Sequence, residues 1–248
     1  MDSGFYSAFT GFAARMDALD LIANNLANAN TVGFKSQRSF YRSFSAWLQP
    51  SLTTPINAAV NQYGVLGGAR LDLAAGSFEP TGNETDVAIE GKGFFNIQTQ
   101  NGIRYTRAGN FSLNSQRQLV TSQGDLVLND QKPTPGPIQI PAGQLTISPD
   151  GTVSVDGAIV ATLKISDFAP DTTLTAEGST YFTAPQDSAK PAAEINVRQG
   201  SLEASNSDPV PATVALIEIQ RTAQLMEKAL SIFNNDFNRT AAQQIAVL

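Results

Sequence analysis

The chain of 248 residues contains no cysteine and no histidine. Without thiols it can form no disulfide and no thiolate site, and without imidazoles it can hold no Ser–His or Cys–His catalytic pair. A zinc site would depend on carboxylates alone, which is unusual. We therefore expect no catalytic residues, no metal ligands and no cofactor.

Charge is sparse as well, because charged residues make up only 15% of the chain and acidic residues outnumber basic ones by 22 to 16. Nucleic acids and anionic membranes select basic surfaces, whereas the lysines and arginines here are scattered. No run of eighteen apolar residues is present, so no membrane-spanning segment is predicted. We expect no nucleic acid, no membrane insertion and no small-molecule substrate.

The opening stretch MDSGFYSAFTGFAARMDALD does not have the pattern of a secretory signal peptide. Asp2 stands where a basic region should be, and Arg15 and Asp17 interrupt any apolar core. If the protein is exported, we expect a route without a cleaved signal peptide.

Both ends of the chain carry apolar residues in alternating steps of four and three, the spacing of a coiled-coil seam. The predicted seam residues of the two ends are Phe5, Phe9, Phe12, Met16, Leu19, Leu26, Leu216, Ile219, Met226, Leu230, Phe233 and Phe237. Gly33 is expected to supply a left-handed residue after the first helix. Asp208 and Pro209 are expected to begin the second helix as N-cap and first helical residue. The pattern predicts two long helices that pair with each other within the chain.

The middle of the chain has the alternation and turn signals of short strands. Asp150-Gly151 and Asp156-Gly157 are typical hairpin dipeptides. The predicted fold class is therefore α+β, with terminal helices paired as a coiled coil and a mainly antiparallel β domain between them. The predicted parts are a helical domain of residues 1–35 and 203–248, an extended linker of residues 36–78, and a β-rich domain of residues 79–202.

The stretch IANNLANANTVGFK (22–35) is rich in asparagine, which is a poor helix former because its side chain competes for backbone groups. On the heptad register, Asn24, Asn25 and Asn28 fall away from the seam. The outer faces of both helices are otherwise small and mostly neutral, unlike the Glu- and Lys-rich faces of solvated helices. We therefore predict that these asparagines form subunit–subunit contacts.

Two other functions remain open on the residues alone. Tyr105, Phe111 and Trp47 could stack on sugar rings in a secreted carbohydrate-binding or adhesin-like protein, although aromatic residues in β segments are more often core. A glycan hydrolase would need a pair of carboxylates across a cleft. Its candidates would be Glu79, Glu84, Asp86 and Glu90. Neither reading accounts for the two terminal helices.

Five stretches of the sequence resemble, in the same order, those of the flagellar basal-body rod and hook protein family. They are ANNLANANTVGFK (23–35), DVAIEGKGFFNI (86–97), YTRAGNFSLN (105–114), QLVTSQGDLVL (118–128) and RQGSLEASN (198–206). The opening MDSGFYSAFTGF and the short middle are more similar to the proximal-rod member than to the distal-rod member. One departure lies on the second helix, where Ala223 stands in place of a common aromatic residue.

This resemblance implies a structural subunit of the bacterial flagellum and not an enzyme. It implies a subunit of the basal-body rod, in the periplasmic space, that polymerises helically and transmits torque from the motor to the hook. The implied partners are further copies of the chain, other rod and hook axial proteins, and the flagellar type III export apparatus.

Overall fold

The computed structural model describes residues 2–45, 62–131 and 134–245. The chain divides into two compact units. A helical unit comprises residues 1–27, 37–70 and 208–248, and a β-rich unit comprises residues 28–36 and 71–207. Among the described residues, no helix is long and apolar enough to cross a membrane.

The helical unit is built on two long helices, α1 (Asp2–Ala27) and α2 (Pro209–Ile245), which contact each other. Asp208 caps α2 as predicted, since its Oδ1 accepts a hydrogen bond from the Val210 amide at 2.9 Å. Strands β1 (Gln37–Ser45) and β2 (Gln62–Leu71) pair with each other in this unit. The terminal helices predicted from the apolar spacing are thus confirmed.

The β-rich unit contains short strands joined by tight turns. They are β3 (Phe78–Pro80), β4 (Val87–Ile89), β5 (Phe94–Thr99), β6 (Gly102–Thr106), β7 (Ser112–Leu113), β8 (Leu119–Val120), β9 (Leu126–Val127), β10 (Leu145–Ile147), β11 (Thr152–Val155), β12 (Ala158–Thr162), β13 (Ile165–Asp167), β14 (Thr175–Glu177), β15 (Tyr181–Thr183), β16 (Lys190–Pro191), β17 (Val197–Gln199) and β18 (Ser201–Glu203). The main sheet runs in the order β14-β15-β6-β5-β9-β8-β7, and β13 joins it by pairing with β5 and β16.

Smaller sheets complete the unit, and all registered pairs are antiparallel, as predicted. Strands β10, β11 and β12 form a meander whose second turn has positive φ at Asp156 (51°) and Gly157 (82°). Late strands return to early ones, because β17 pairs with β4 and β18 pairs with β3. The β-rich unit is therefore incomplete without residues 197–203.

The core of the β-rich unit lies between these sheets. Its largest cluster of buried side chains comprises Val87, Ile89, Phe95, Ile97, Phe111, Leu119, Val127, Ile138, Ile140, Leu145, Ile147, Val153, Val155, Leu163, Ile165, Tyr181 and Val197. A second cluster is formed by Phe94, Leu174 and Phe182, with edge-to-face contacts between the rings. Burial of this apolar area is the main stabilising term for the unit.

The compact units have bounds different from those predicted for the domains. Residues 28–36 and 71–78 lie in the β-rich unit, and β1 and β2 occupy part of the stretch 36–78 that was expected to be an extended linker. Residues 203–207, expected in the helical domain, also lie in the β-rich unit. Hydrogen bonds between distant segments explain this division, and they converge on one buried carboxylate.

Candidate functional site: a buried charge junction and the faces of the helices

Glu203 is a fully buried carboxylate in the β-rich unit, with two basic side chains on it. Lys35 Nζ donates to Oε1 at 2.6 Å and to the Ala74 carbonyl at 2.7 Å. Arg107 Nη1 donates to Oε2 at 3.2 Å, and the Gly76 amide donates to Oε1 at 3.0 Å. We call Lys35, Glu203 and Arg107 the charge junction.

The guanidinium of Arg107 has further backbone and aromatic contacts, although its buried Nε has no hydrogen-bond partner among the described residues. Nη1 donates to the Ile89 carbonyl at 3.2 Å and Nη2 donates to the Gly91 carbonyl at 2.7 Å. The guanidinium carbon lies 5.1 Å from the centre of the Phe94 ring, within cation–π range. Arg107 thereby ties the loop after β4 to the junction.

Burial dominates the electrostatics of the two cations. Loss of hydration lowers the pKa of Lys35, and the Glu203 carboxylate opposes that shift by its hydrogen bond and charge. Burial likewise lowers the pKa of Arg107, again against the attraction of Glu203. Each cation therefore depends on Glu203 to remain charged inside the protein at low cost.

Glycine at position 33 allows the backbone to pack closely beside the junction. Gly33 has the predicted left-handed conformation (φ 67°), and its amide donates to the Glu203 carbonyl at 2.8 Å. A Cβ at this position would lie 2.2 Å from the Ala108 amide nitrogen and 2.4 Å from the Arg107 carbonyl carbon. Only a residue without a side chain fits this close to the backbone of Arg107 and Ala108.

Asn206 extends the same network to the segment before β3. Its Oδ1 accepts from the Ser36 amide at 2.7 Å, and its Nδ2 donates to the carbonyls of Asp72 at 2.7 Å and Ala74 at 3.1 Å. Three segments, 33–36, 72–76 and 203–206, are therefore held together by buried polar groups. These segments adjoin the points where the chain passes between the two units.

Sequence reasoning missed the charge junction, although a signal for it was present. Lys35, Arg107 and Glu203 lie in three of the five stretches that resemble the rod and hook family, and each is a charged residue flanked by apolar and small residues. Their separation along the chain, 168 residues between Lys35 and Glu203, hides the pairing from any local pattern. Only the folded chain brings them together.

The predicted seam residues of α2 whose side chains the structure describes are all partly buried. Leu216, Ile219, Met226 and Leu230 are half-buried, and Ala223 is buried. On α1, Phe12, Leu19 and Leu26 are half-buried, but Phe9 and Met16 are 53% and 38% exposed. The most buried apolar residues of α1 are instead Ala14 and Ala18. The side chains of Phe5, Phe233 and Phe237 lie outside those that the structure describes.

The exposure of Phe9 and Met16 on α1 has a geometric cause. A Cβ built on Gly11 would lie 3.9 Å from Met226 Cε, so α1 turns a line of small residues toward α2. Small residues let two helix backbones approach closely, and larger neighbours such as Phe9 are then displaced to the outside. The heptad spacing alone does not distinguish these two faces.

The opposite face of α2 carries a second apolar line that the sequence reasoning missed. Its members are between 46% and 71% exposed: Val210, Val214, Ile217, Leu225 and Ile232. At about 100° per residue they lie on the side of the helix opposite the seam. We call these five residues the outer stripe of α2. An exposed apolar line of this length is typical of an interaction surface.

The asparagines predicted to meet neighbouring subunits have different surroundings. Asn25 is buried within the helical unit, where its Nδ2 donates to the Gln37 carbonyl at 2.7 Å and its Oδ1 accepts from the Gln37 amide at 2.9 Å. Asn24 is exposed and Asn28 is half-buried. Asn25 and Asn28 thus both have partners inside their own chain, since Asn28 Oδ1 accepts a hydrogen bond from Thr31 Oγ1 at 3.2 Å. The subunit contact of the three asparagines stays a prediction.

Replacing Asn25 with alanine is expected to lower the free energy of unfolding of the helical unit by about 1–3 kcal/mol, because both backbone groups of Gln37 lose a partner. Amide hydrogen exchange at Gln37, followed together with denaturant unfolding, measures this effect. The exposed Asn30→Ala variant is the matched control, and equal effects of the two changes would contradict the assigned role.

Of the residues considered for sugar binding or hydrolysis, those that the structure describes include a core residue, a ring packed on another ring and a carboxylate in a turn. Phe111 is buried in the main core, and Tyr105 packs edge-to-face on Phe168. Trp47 lies outside the described residues. Asp86 accepts hydrogen bonds from Thr81 Oγ1 at 2.7 Å and Asn83 Nδ2 at 3.1 Å, as in a structural turn.

Two family models match this chain. Residues 5–35 match the flagella basal body rod protein model, and residues 88–155 match the flagellar hook protein FlgE/F/G D1 domain model. The first match covers α1 and reaches Lys35, and the second contains Arg107. Both therefore include parts of the charge junction.

Curated proteins are similar to this chain over almost its whole length. The flagellar basal-body rod protein FlgF of Caulobacter vibrioides is 36% identical over 99% of this chain and 98% of its own length. FlgG of Borreliella burgdorferi is 32% identical over 95% of this chain and 96% of its own, and FlgG of Caulobacter vibrioides is 35% identical over 91% and 93%. The chain belongs to the flagellar basal-body rod protein family.

Proposed function

We propose that this protein is a structural subunit of the bacterial flagellar basal-body rod, which polymerises helically with other axial proteins and transmits torque from the motor to the hook. The outer stripe of α2 is the observation that carries this proposal, because it leaves an apolar face of the chain without a partner. Family membership at 36% identity over nearly the full length supports the same role. No enzymatic step is part of the function.

We assign a different role to each of the two units of the chain. The terminal helices pair as a coiled coil through the α2 seam, and their outer faces bind neighbouring copies or other axial proteins. The contact is heterologous and does not close, which is how a helical tube arises. The β-rich unit forms a rigid body that the charge junction completes. Asn24 and Asn28 contribute polar contacts between subunits.

The location of the protein can be tested directly. We place it in the rod within the periplasmic space, delivered by the flagellar type III apparatus. The chain should therefore be recovered from purified basal bodies. Deleting its coding sequence should stop assembly before the hook, and hooks on the deletion strain would refute a rod role.

Substituting Ile217 in the outer stripe with aspartate is expected to abolish swimming while leaving the chain folded, because a charge would be buried without a partner at the subunit contact. Swimming in soft agar and circular dichroism of the purified chain provide the two readouts. Gln220→Asp on the same helix is the matched control, since Gln220 is exposed and lies off the stripe. Normal swimming of the Ile217 variant would count against the proposal.

A further inference from the structure

The first helix also presents an exposed line of side chains, and its spacing matches the outer stripe of α2. Phe9 and Met16 are seven residues apart, and the exposed Asp20 follows four residues later. On α2, Ile232 and Leu225 are seven residues apart, and the exposed Arg221 precedes Leu225 by four. The two lines have the same steps in opposite chain directions.

Equal steps mean equal distances along the two helix axes. With a rise of about 1.5 Å per residue, each set has its side chains about 10.5 Å and then about 6 Å apart. An antiparallel arrangement therefore sets Phe9 opposite Ile232, and Met16 opposite Leu225. The next step joins an acidic residue, Asp20, to a basic one, Arg221.

The match continues beyond the charged pair. Four residues beyond the charged pair on each helix, Asn24 lies opposite Ile217. Three residues further, Ala27 lies opposite Val214. Three of these five facing pairs join apolar side chains and one joins opposite charges, whereas the amide of Asn24 faces the apolar Ile217.

These two lines do not face each other within one chain. Inside the helical unit, α1 approaches α2 through Gly11 near Met226, with Ala14, Ala18 and Ala223 buried. Phe9, Met16 and Leu225 remain exposed. Within one chain, α1 therefore leaves the outer stripe of α2 exposed.

We propose that α1 of one copy docks antiparallel on the outer stripe of α2 of a second copy, with Asp20 and Arg221 as the ion pair that sets the register. This docking rests on the proposed rod function and names its partner face. Because the contact joins two different surfaces, each bound copy presents a free surface for the next.

Cysteine cross-linking tests the register without background, because the natural chain contains no cysteine. The double variant Met16→Cys, Leu225→Cys should give, after oxidation of purified basal bodies, a ladder of multimers of this chain that collapses on reduction. The facing Cα atoms should lie within the roughly 4.4–6.8 Å that a disulfide spans. Each single variant and the off-stripe pair Met16→Cys, Gln220→Cys are the controls and should give no ladder.

Three results would overturn the docking. The first is a faster-migrating monomer, which indicates a disulfide within one chain. The second is a cross-linked product that has the mass of a different protein. The third is no cross-link in motile cells. Failure of the rod function is distinguishable, because the chain would then be missing from purified basal bodies altogether.

Charge exchange between two copies provides an independent test. Asp20→Arg and Arg221→Asp should each reduce the amount of chain in basal bodies by about tenfold or more, since like charges then meet at the contact. Co-expression of the two variants should restore assembly, because alternating copies again join opposite charges. A pair within one chain would not be restored by co-expression, and that result would refute the docking.

Discussion

Replacing Glu203 with glutamine is expected to lower the free energy of unfolding of the β-rich unit by about 3–5 kcal/mol. Glutamine retains the shape of the side chain but removes the charge that Lys35 and Arg107 share, 2.6 and 3.2 Å away. Two buried cations would then face each other without the carboxylate that binds both of them. Since whole domains are stable by only about 5–15 kcal/mol, the loss should be evident in urea unfolding.

The control for this change is Glu90→Gln. Glu90 pairs with Arg198 at 3.6 Å, but both side chains are about half exposed, so the expected loss is below about 1 kcal/mol. A Glu203 variant as stable as the Glu90 variant would show that the junction contributes little to stability.

The dependence on pH separates loss of the ion pair from simple misfolding. Burial lowers the pKa of Lys35 in the folded chain, so the unfolded chain binds more protons as the pH approaches the ordinary lysine value. Stability therefore rises with pH in that alkaline window for this group. Removing Glu203 deepens the shift, so the deficit of the variant relative to the natural chain should shrink on raising the pH. A deficit that is constant across the window would contradict this account.

Substituting Gly33 with alanine is expected to destabilise the β-rich unit by more than about 4 kcal/mol, a loss that few single changes reach. The new Cβ would lie 2.2 Å from the Ala108 amide nitrogen and 2.4 Å from the Arg107 carbonyl carbon, and these are backbone atoms that cannot rotate away as a side chain can. The left-handed backbone conformation adds a cost of about 1–2 kcal/mol for any residue with a side chain. Unfolding of the purified variant in urea provides the measurement.

Gly82→Ala measures the cost of the left-handed backbone conformation without the steric overlap. Gly82 has a similar φ of 71°, but no atom lies within 4 Å of a Cβ built there. Its loss should therefore be about 1–2 kcal/mol. If both glycine variants are equally stable, steric overlap beside the junction is not the cause.

The charge junction has a consequence for how the subunit assembles its own fold. Lys35 comes before nearly all strands of the β-rich unit and Glu203 after them, and Arg107 is 96 residues from Glu203. The pairings of β17 with β4 and β18 with β3 have the same long range. Such distant contacts slow folding, because loop closure must precede them. We expect the unit to be stable only when both ends of its sequence are present.

The helices carry exposed apolar residues, and the β-rich unit contains buried charges. These two features have different roles. The outer stripe of α2 leaves apolar area uncovered in the single chain, and in the proposed assembly a neighbour covers it. The charge junction is closed within the chain and needs no neighbour. A rod subunit of this design can be rigid before assembly in one unit and complete its packing during assembly in the other.

The sequence by itself determined the helices, the antiparallel strands, the turns and the family. Heptad spacing predicted α1 and α2, Asp208-Pro209 predicted the start of α2, and Asp156-Gly157 predicted a hairpin turn, because each is a local property of a few neighbouring residues. The absence of cysteine and histidine excluded whole classes of site. Five short stretches were enough to identify the family that the comparisons then showed.

Only the tertiary structure decided which faces and charges these elements use. Phe9 and Met16 fit the heptad seam in sequence, yet the close approach at Gly11 leaves them exposed. Asn25 looked like a surface residue, but Gln37 of the same chain binds its amide. The charge junction was hidden for the same physical reason: a local pattern sets the conformation of a segment, whereas partners 168 residues away are chosen by packing of the whole chain.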